Sequence, residues 1–268
     1  MAIPKSGEKS VGLARQWCGA TGKVNNCQVT VNFTIATAGE QHNSDQVTWP
    51  LGTRLYLLKK LYLLKKWTGE DDSVYEMSVY ETAREREKYS RLSREAGIPE
   101  EVFYQPKYEI AVDLIEQAMA ADPDHACVVA DIGFGKYPSF RKELRARSEP
   151  YVLEVETSKF VVVPEETTVF EQGSMSGRGR PRKHPAYPEE VDAATPEQIA
   201  DRLEKQDDWR EVTWNEGTKG ELGREFSRTR VRVVEDRNNR WLTEETGCLL
   251  LKRPSGEEGE GELKAWIC

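Results

Sequence analysis

The sequence predicts an α/β protein with a β-rich second half, and three stretches carry that reading. Residues 28–36 alternate apolar and polar side chains, residues 105–121 hold an apolar stripe at helical spacing, and residues 126–155 read as strand, turn, helix and strand. In the first, Val29, Val31, Phe33 and Ile35 point one way while Thr30, Asn32 and Thr34 point the other, the pattern of a half-buried strand. In the second, Pro106 suits a first helical position, because its missing N–H would have no partner there. Ala111, Leu114, Ile115, Ala118 and Met119 then recur on one face, which predicts a helix lying over a sheet and ending before Asp122 and Pro123. In the third, the short apolar run from Ala126 to Ala130 ends in Asp131, and Gly133 and Gly135 follow. Pro138 opens a helix with Phe140 and Leu144 facing inward, and Tyr151 to Val155 is the next strand.

Two segments look like small duplications. LYLLKK occurs twice in succession, at 55–60 and 61–66, and SVYEM precedes SVYET at 73–82. An insertion of six residues preserves strand parity, so a sheet can absorb it as a longer strand or a loop. Between 81 and 96 the charges are mixed, as on a solvated helix stopped by Gly97 and Pro99.

Past Phe160 the character changes. A Gly/Pro/Arg stretch runs from Gly173 to Pro188, and Thr195, Pro196 and Gln198 make a capping-box start for one helix. Strands follow to the end, with Arg228, Arg230 and Arg232 alternating against Thr229, Val231 and Val233, and an acidic turn at 256–261.

Composition narrows the function classes. No run of about 18 apolar residues exists to span a membrane, and MAIPKSGEKS lacks the apolar core of a signal peptide, which predicts a cytoplasmic protein. Five cysteines without a C-x-x-C pair suggest neither a disulfide framework nor a zinc site, and reduced thiols are expected. The formal charge of −8 argues against uniform attraction to nucleic acid but leaves room for a local basic patch.

Asp131 is the strongest candidate for chemistry, since a carboxylate at the end of a buried strand is held rigidly where a metal ligand is needed. From the residues alone, a helix cap or turn residue is the simpler account of the same aspartate. His42, His125 and His184 are scattered without ligand spacing and read as surface or linker residues.

The segment IPKSGEKSVGLARQWCGATGKVNNCQ, residues 3–28, resembles the signature of the DDE superfamily of insertion-sequence transposases, in which PK-x-G-x-x-SVG, RQ, G-x-x-GK and NCQ follow in that order. VVADIGFGKYPSFRKEL at 128–144 resembles the same family's strand ending in aspartate, and WPLGTRLYL with KKW resembles another of its stretches, interrupted by the duplication. The resemblance implies a ribonuclease-H-like mixed sheet with flanking helices and a β-rich insertion. It divides the chain into a partial catalytic core at 1–160 and a basic linker with the insertion domain at 161–268.

By the same resemblance Asp131 is the second of three metal-binding acids, for Mg²⁺ or Mn²⁺. The first would lie in a D-D-T stretch upstream of the I-P-K motif, at or before Met1, and the third on a helix beyond the GELKAWIC segment. The expectation is therefore a transposase fragment, DNA-cutting and strand-transferring in the intact family and inactive alone. The alternative is a non-catalytic DNA-binding or regulatory remnant, with DNA and an intact transposase as partners. Lys5, Lys9 and Lys23 fall within the signature, where lysines can contact phosphate or simply be solvated. Arg178, Gly179, Arg180 and Pro181 resemble the RGRP core of an AT-hook, extended by Arg182 and Lys183; a solvated basic linker fits equally well. The arginines at 228, 230 and 232 read as a polar sheet face or as DNA contacts.

Overall fold

The computed structural model describes residues 1–6, 12–36, 48–57, 94–95, 97, 105–121, 124–170, 184–215, 221–254 and 262–268. The chain forms two compact units, one of residues 1–37 and 47–123, the other of residues 38–46 and 124–268. Both LYLLKK copies beyond Leu57, the SVYEM/SVYET pair, most of the charged 81–96 segment and the acidic turn lie outside the described residues.

Among the described residues, the first unit holds a four-stranded antiparallel sheet with the helix of residues 107–119 packed on it. Strands β1 (Ala2–Pro4) and β2 (Ala14–Cys18) flank β3 (Lys23–Ala36), whose later residues pair with β4 (Thr48–Tyr56). The alternation read at 28–36 is present, with Val29 and Val31 buried at 7% and 3% exposure, but the strand starts earlier, at Lys23. Residues 23–26 are polar or solvent-facing, so their strand character comes from pairing with β2 and not from burial. Helix α1 (Lys107–Met119) buries Ile110, Ala111, Val112, Leu114 and Ile115 and packs on β3 and β4. Pro106 is its N-cap, one position earlier than the sequence suggests, with the extended backbone a cap requires. Gly52 is where the helix presses closest: a Cβ there would stand 2.8 Å from Leu114 Cδ2.

The second unit is built on a seven-stranded sheet. Its order is β5 (Val128–Ala130), β6 (Tyr151–Val155), β11 (Lys264–Ile267), β10 (Trp241–Lys252), β9 (Glu221–Asp236) and β7 (Val162–Pro164), with β8 (Arg210–Asn215) also pairing β9. β5 and β6 run parallel, joined through the single turn α2 (Ile132–Gly135) and helix α3 (Pro138–Ala146); the other pairings are antiparallel. Phe140 and Leu144 are 1% and 0% exposed, as the inward face of α3 requires. Helix α4 (Pro196–Gln206) opens with the capping box read from the sequence: Thr195 Oγ1 accepts from Gln198 N, and Gln198 Oε1 accepts from Thr195 N. Strands on both sides of residue 160 belong to this one sheet. The fold is thus mixed α/β, mostly strand.

A buried ionic network ties α3 to β10 and β6. Arg141 Nε donates to both oxygens of Glu245, at 2.9 and 3.0 Å, and Arg141 Nη1 donates to the carbonyl of Gly135 at 2.6 Å. Tyr151 Oη also donates to Glu245 Oε1 at 3.0 Å, and Arg145 Nη1 lies 3.0 Å from the same oxygen. Arg141 and Glu245 are 2% and 1% exposed, so each charge depends on the other. Burial raises the Tyr151 phenol pKa, and the neighbouring Glu245 carboxylate raises it further.

Candidate active site

Asp131 follows β5 directly, on the parallel edge of the sheet, where Val128, Val129 and Ala130 pair with Tyr151, Val152 and Leu153. Its backbone is extended (φ −75°, ψ 176°) and it is the N-cap of α2. Oδ1 accepts from Gly133 N at 2.9 Å, while the Asp131 carbonyl accepts from Phe134 N and Gly135 N, both at 3.0 Å. The cap reading is therefore realised. It engages one carboxylate oxygen; the residue is solvent-exposed, and among the described residues no hydrogen bond uses Oδ2.

What holds the carboxylate in place is the packing of α2 on β6. A Cβ at Gly135 would stand 2.0 Å from the carbonyl oxygen of Glu154, so the helical turn can approach the strand only without a side chain there. From the other side Arg141 grips the Gly135 carbonyl, and the Arg141 guanidinium, anchored on Glu245, lies over the Phe160 ring at 5.2 Å. Sequence reasoning missed this support, because Arg141 and Glu245 are far apart in the chain and each reads as a solvated charge on its own element.

A hard divalent cation needs about six or more oxygen ligands when bound as Mg²⁺ or Ca²⁺. Among the described residues no group of three or more His, Cys, Asp and Glu side chains is placed to hold a metal ion. Asp131 is one exposed carboxylate, and the described residues do not by themselves fit a metal centre.

A family model described as DDE superfamily endonuclease matches residues 2–221. The chain belongs to the DDE superfamily endonucleases. Members of this superfamily generally use divalent metal ions and act on DNA. No curated protein and no solved structure matched the chain.

Of the cationic residues singled out in this DDE endonuclease chain, Lys5 and Lys23 are described and exposed. Lys5 follows β1, its N–H donating to the Asn26 carbonyl at 3.1 Å, and Lys23 opens β3 opposite Cys18. Lys9, Arg178, Arg180, Arg182 and Lys183 lie outside the described residues. On β9, Arg228 and Arg230 are exposed and Arg230 stands 3.9 Å from Glu165, so this face is at least partly acid-paired. His125 pairs with Glu149 at 2.9 Å, and His184 stacks on Trp241 with ring centroids 4.2 Å apart, while His42 lies outside the described residues. Cys18, Cys27, Cys127, Cys248 and Cys268 are free thiols. Among the described residues no helix is long and apolar enough to cross a membrane.

Proposed function

We propose that this chain is a transposase-type DDE protein that engages DNA and presents Asp131 toward the scissile phosphate, but does not cut DNA unless further carboxylates join it. The observation that carries the reading is the geometry of Asp131: an exposed residue at the carboxyl end of a parallel strand, one carboxylate oxygen fixed by the α2 cap and the other without a hydrogen bond among the described residues. The parallel β5–β6 pair with α2 and α3 between them supports a ribonuclease-H-like core, and β7 to β11 support a β-rich elaboration of it. The protein's own contribution is to orient the Asp131 carboxylate through Gly133 N, and to hold α2 against β6 through Gly135 and Arg141. Lys5, Lys9 and Lys23 are proposed phosphate contacts, and Arg178, Arg180, Arg182 and Lys183 a proposed minor-groove contact.

A competing role is favoured by one feature of the sequence. Residues 1–36 contain four basic residues, Lys5, Lys9, Arg15 and Lys23, against one acid, Glu8, in a chain of formal charge −8. A local cationic segment in an otherwise acidic chain suits a DNA-binding regulator that occupies the sites of another transposase, or joins it. The test is incubation of the purified chain with supercoiled plasmid and Mg²⁺ or Mn²⁺, alongside Asp131→Asn. Binding without nicking is expected from both proteins. Metal-dependent nicking lost in the Asp131→Asn variant would overturn the claim of inactivity and make Asp131 catalytic in this chain.

A further inference from the structure

We infer that the β1–β3–β2 face of the first unit is a binding site for unpaired DNA, with Trp17 stacking on an exposed base and Lys5 and Arg15 holding the flanking phosphates. This rests on the DNA-engaging reading above and specifies which form of DNA this surface takes. The residues are brought together by strand register. Arg15 stands opposite Asn26 across β2 and β3, and on the other edge of β3 the Lys5 N–H bonds the Asn26 carbonyl. Ile3 pairs with Gln28, so Lys5, two residues on, shares the face of Asn26, and Lys5, Asn26 and Arg15 form a row across three strands. With strands about 4.8 Å apart, the two cations flank Asn26 at a separation of about 10 Å between their backbones. The next row along the same face is Val24 opposite Trp17.

Exposure and charge decide the kind of partner. Trp17 is 64% exposed and Val24 52%, whereas Cys18 and Cys27, on the other face of the same strands, are fully buried. The indole is therefore turned away from the core by the pleat and not left over from it. A single exposed aromatic is ordinary on a protein surface; an indole set directly against an exposed Val24 and one step from two cations is not a random scatter. Among the described residues no acid pairs with Lys5, Arg15 or Lys23, in contrast to Arg230, Arg240 and Arg253 in the second unit. An aromatic plate beside cations that no described acid pairs matches the single-strand mode of nucleic-acid binding, in which bases stack and phosphates are neutralised, better than an apolar protein interface, which excludes charge from its centre. The hairpin tip leaves room for a backbone to pass, since a Cβ at Gly19 or Gly22 would meet nothing within 4 Å. An intact duplex keeps its base faces stacked, so the Trp17 plate has a partner only where bases are unpaired, as at a frayed or distorted end.

The experiment titrates the full chain with oligothymidylate and, separately, with a duplex of equal length, following anisotropy of labelled DNA at several salt concentrations. Trp17→Ala should weaken single-strand binding roughly 5- to 150-fold, the range for loss of one stacked base, and should leave duplex binding nearly unchanged. Trp17→Tyr, which keeps an aromatic plate, should recover most of the loss, a rescue that a folding defect would not mimic. Lys5→Ala with Arg15→Ala should flatten the log–log salt dependence on single strands by about 1.4, two phosphate contacts' worth. If duplex binds and Trp17→Ala leaves single-strand affinity unchanged, the stacking site is overturned while the DNA-engaging reading stands. If neither form of DNA binds, both are overturned.

Discussion

Removal of the Glu245 carboxylate should destabilise the second unit severely and the first not at all. In the wild type this carboxylate receives Arg141 Nε on both oxygens and Tyr151 Oη on Oε1, at 1% exposure. Glu245→Leu fills much the same space but leaves the Arg141 guanidinium buried with the Gly135 carbonyl as its remaining acceptor. Breaking a buried pair by deleting one partner costs about 3–5 kcal/mol. At about 2–4 °C per kcal/mol for a unit of this size, the transition should fall by about 6–20 °C. Arg141→Met combined with Glu245→Leu removes both charges, and it should be less damaging than the two single losses added together. A coupling of about 2–3 kcal/mol is expected, at the upper end of what contacting residues show. The cycle is measured by thermal and urea unfolding under far-UV circular dichroism, with the two units' transitions fitted separately because one two-state transition need not describe both. Additive single losses, or a loss below about 1 kcal/mol for Glu245→Leu, would refute the argument that this network carries the packing behind Asp131.

Three further outcomes follow from local geometry. Gly135→Ala places a Cβ against the Glu154 carbonyl, backbone against backbone, and should cost about 3 kcal/mol or more, read as a lowered urea midpoint; an unchanged midpoint would mean that α2 does not seat on β6 as described. Thr195→Ala deletes one half of the α4 capping box and should cost about 1 kcal/mol, with Thr195→Ser restoring most of it. Cys268 as a residue is exposed, yet burial of its sulfur, with the Cys248 and Cys127 thiols nearby, pushes its pKa up from 9.0 to about 11. A thiol raised on folding contributes stability fully present below pH 9.0 and lost as pH rises toward about 11. Iodoacetamide should therefore modify Cys268 much more slowly in the native than in the unfolded chain at pH 8.5, and equal rates would contradict the shift.

Local signals in the sequence were legible where one residue decides the structure. Thr195 and Gln198 announced a helix start, the stripe from Ala111 to Ile115 announced a buried face, and the run into Asp131 announced a strand end. Signals failed where pairing is long-range. Nothing in KAWI says that it will lie between β6 and β10, because strand periodicity reports a face and never a neighbour. Glu245 was hidden for a different reason. Alternation along β10 that begins with Leu242 buried would send Glu244 and Thr246 inward, but the ladder slips between Leu242 and Thr246, and beyond it Glu245, Gly247, Leu249 and Leu251 are the buried set. Trp17 and Arg15 were overlooked because a five-residue strand with one buried end gives too short a period to detect. The chemistry at Asp131 is legible only in part, since the residue types that could join it are abundant and their convergence is not periodic.

The place of β11 in the sheet has a consequence for how the chain is made. Leu153 to Val155 pair with Ile267 to Ala265, and Leu249 to Lys252 pair with the other edge of the same short strand. On a translating ribosome, β5 and β6 emerge early and β9 and β10 well after them, yet the two groups have no shared ladder until residues 264–267 leave the exit tunnel. Throughout that interval each group offers an open edge to any nascent chain beside it, on the same polysome most of all. A polypeptide that stopped before Lys264 would leave both edges unpaired, so such products are expected to aggregate more readily than chains that include β11.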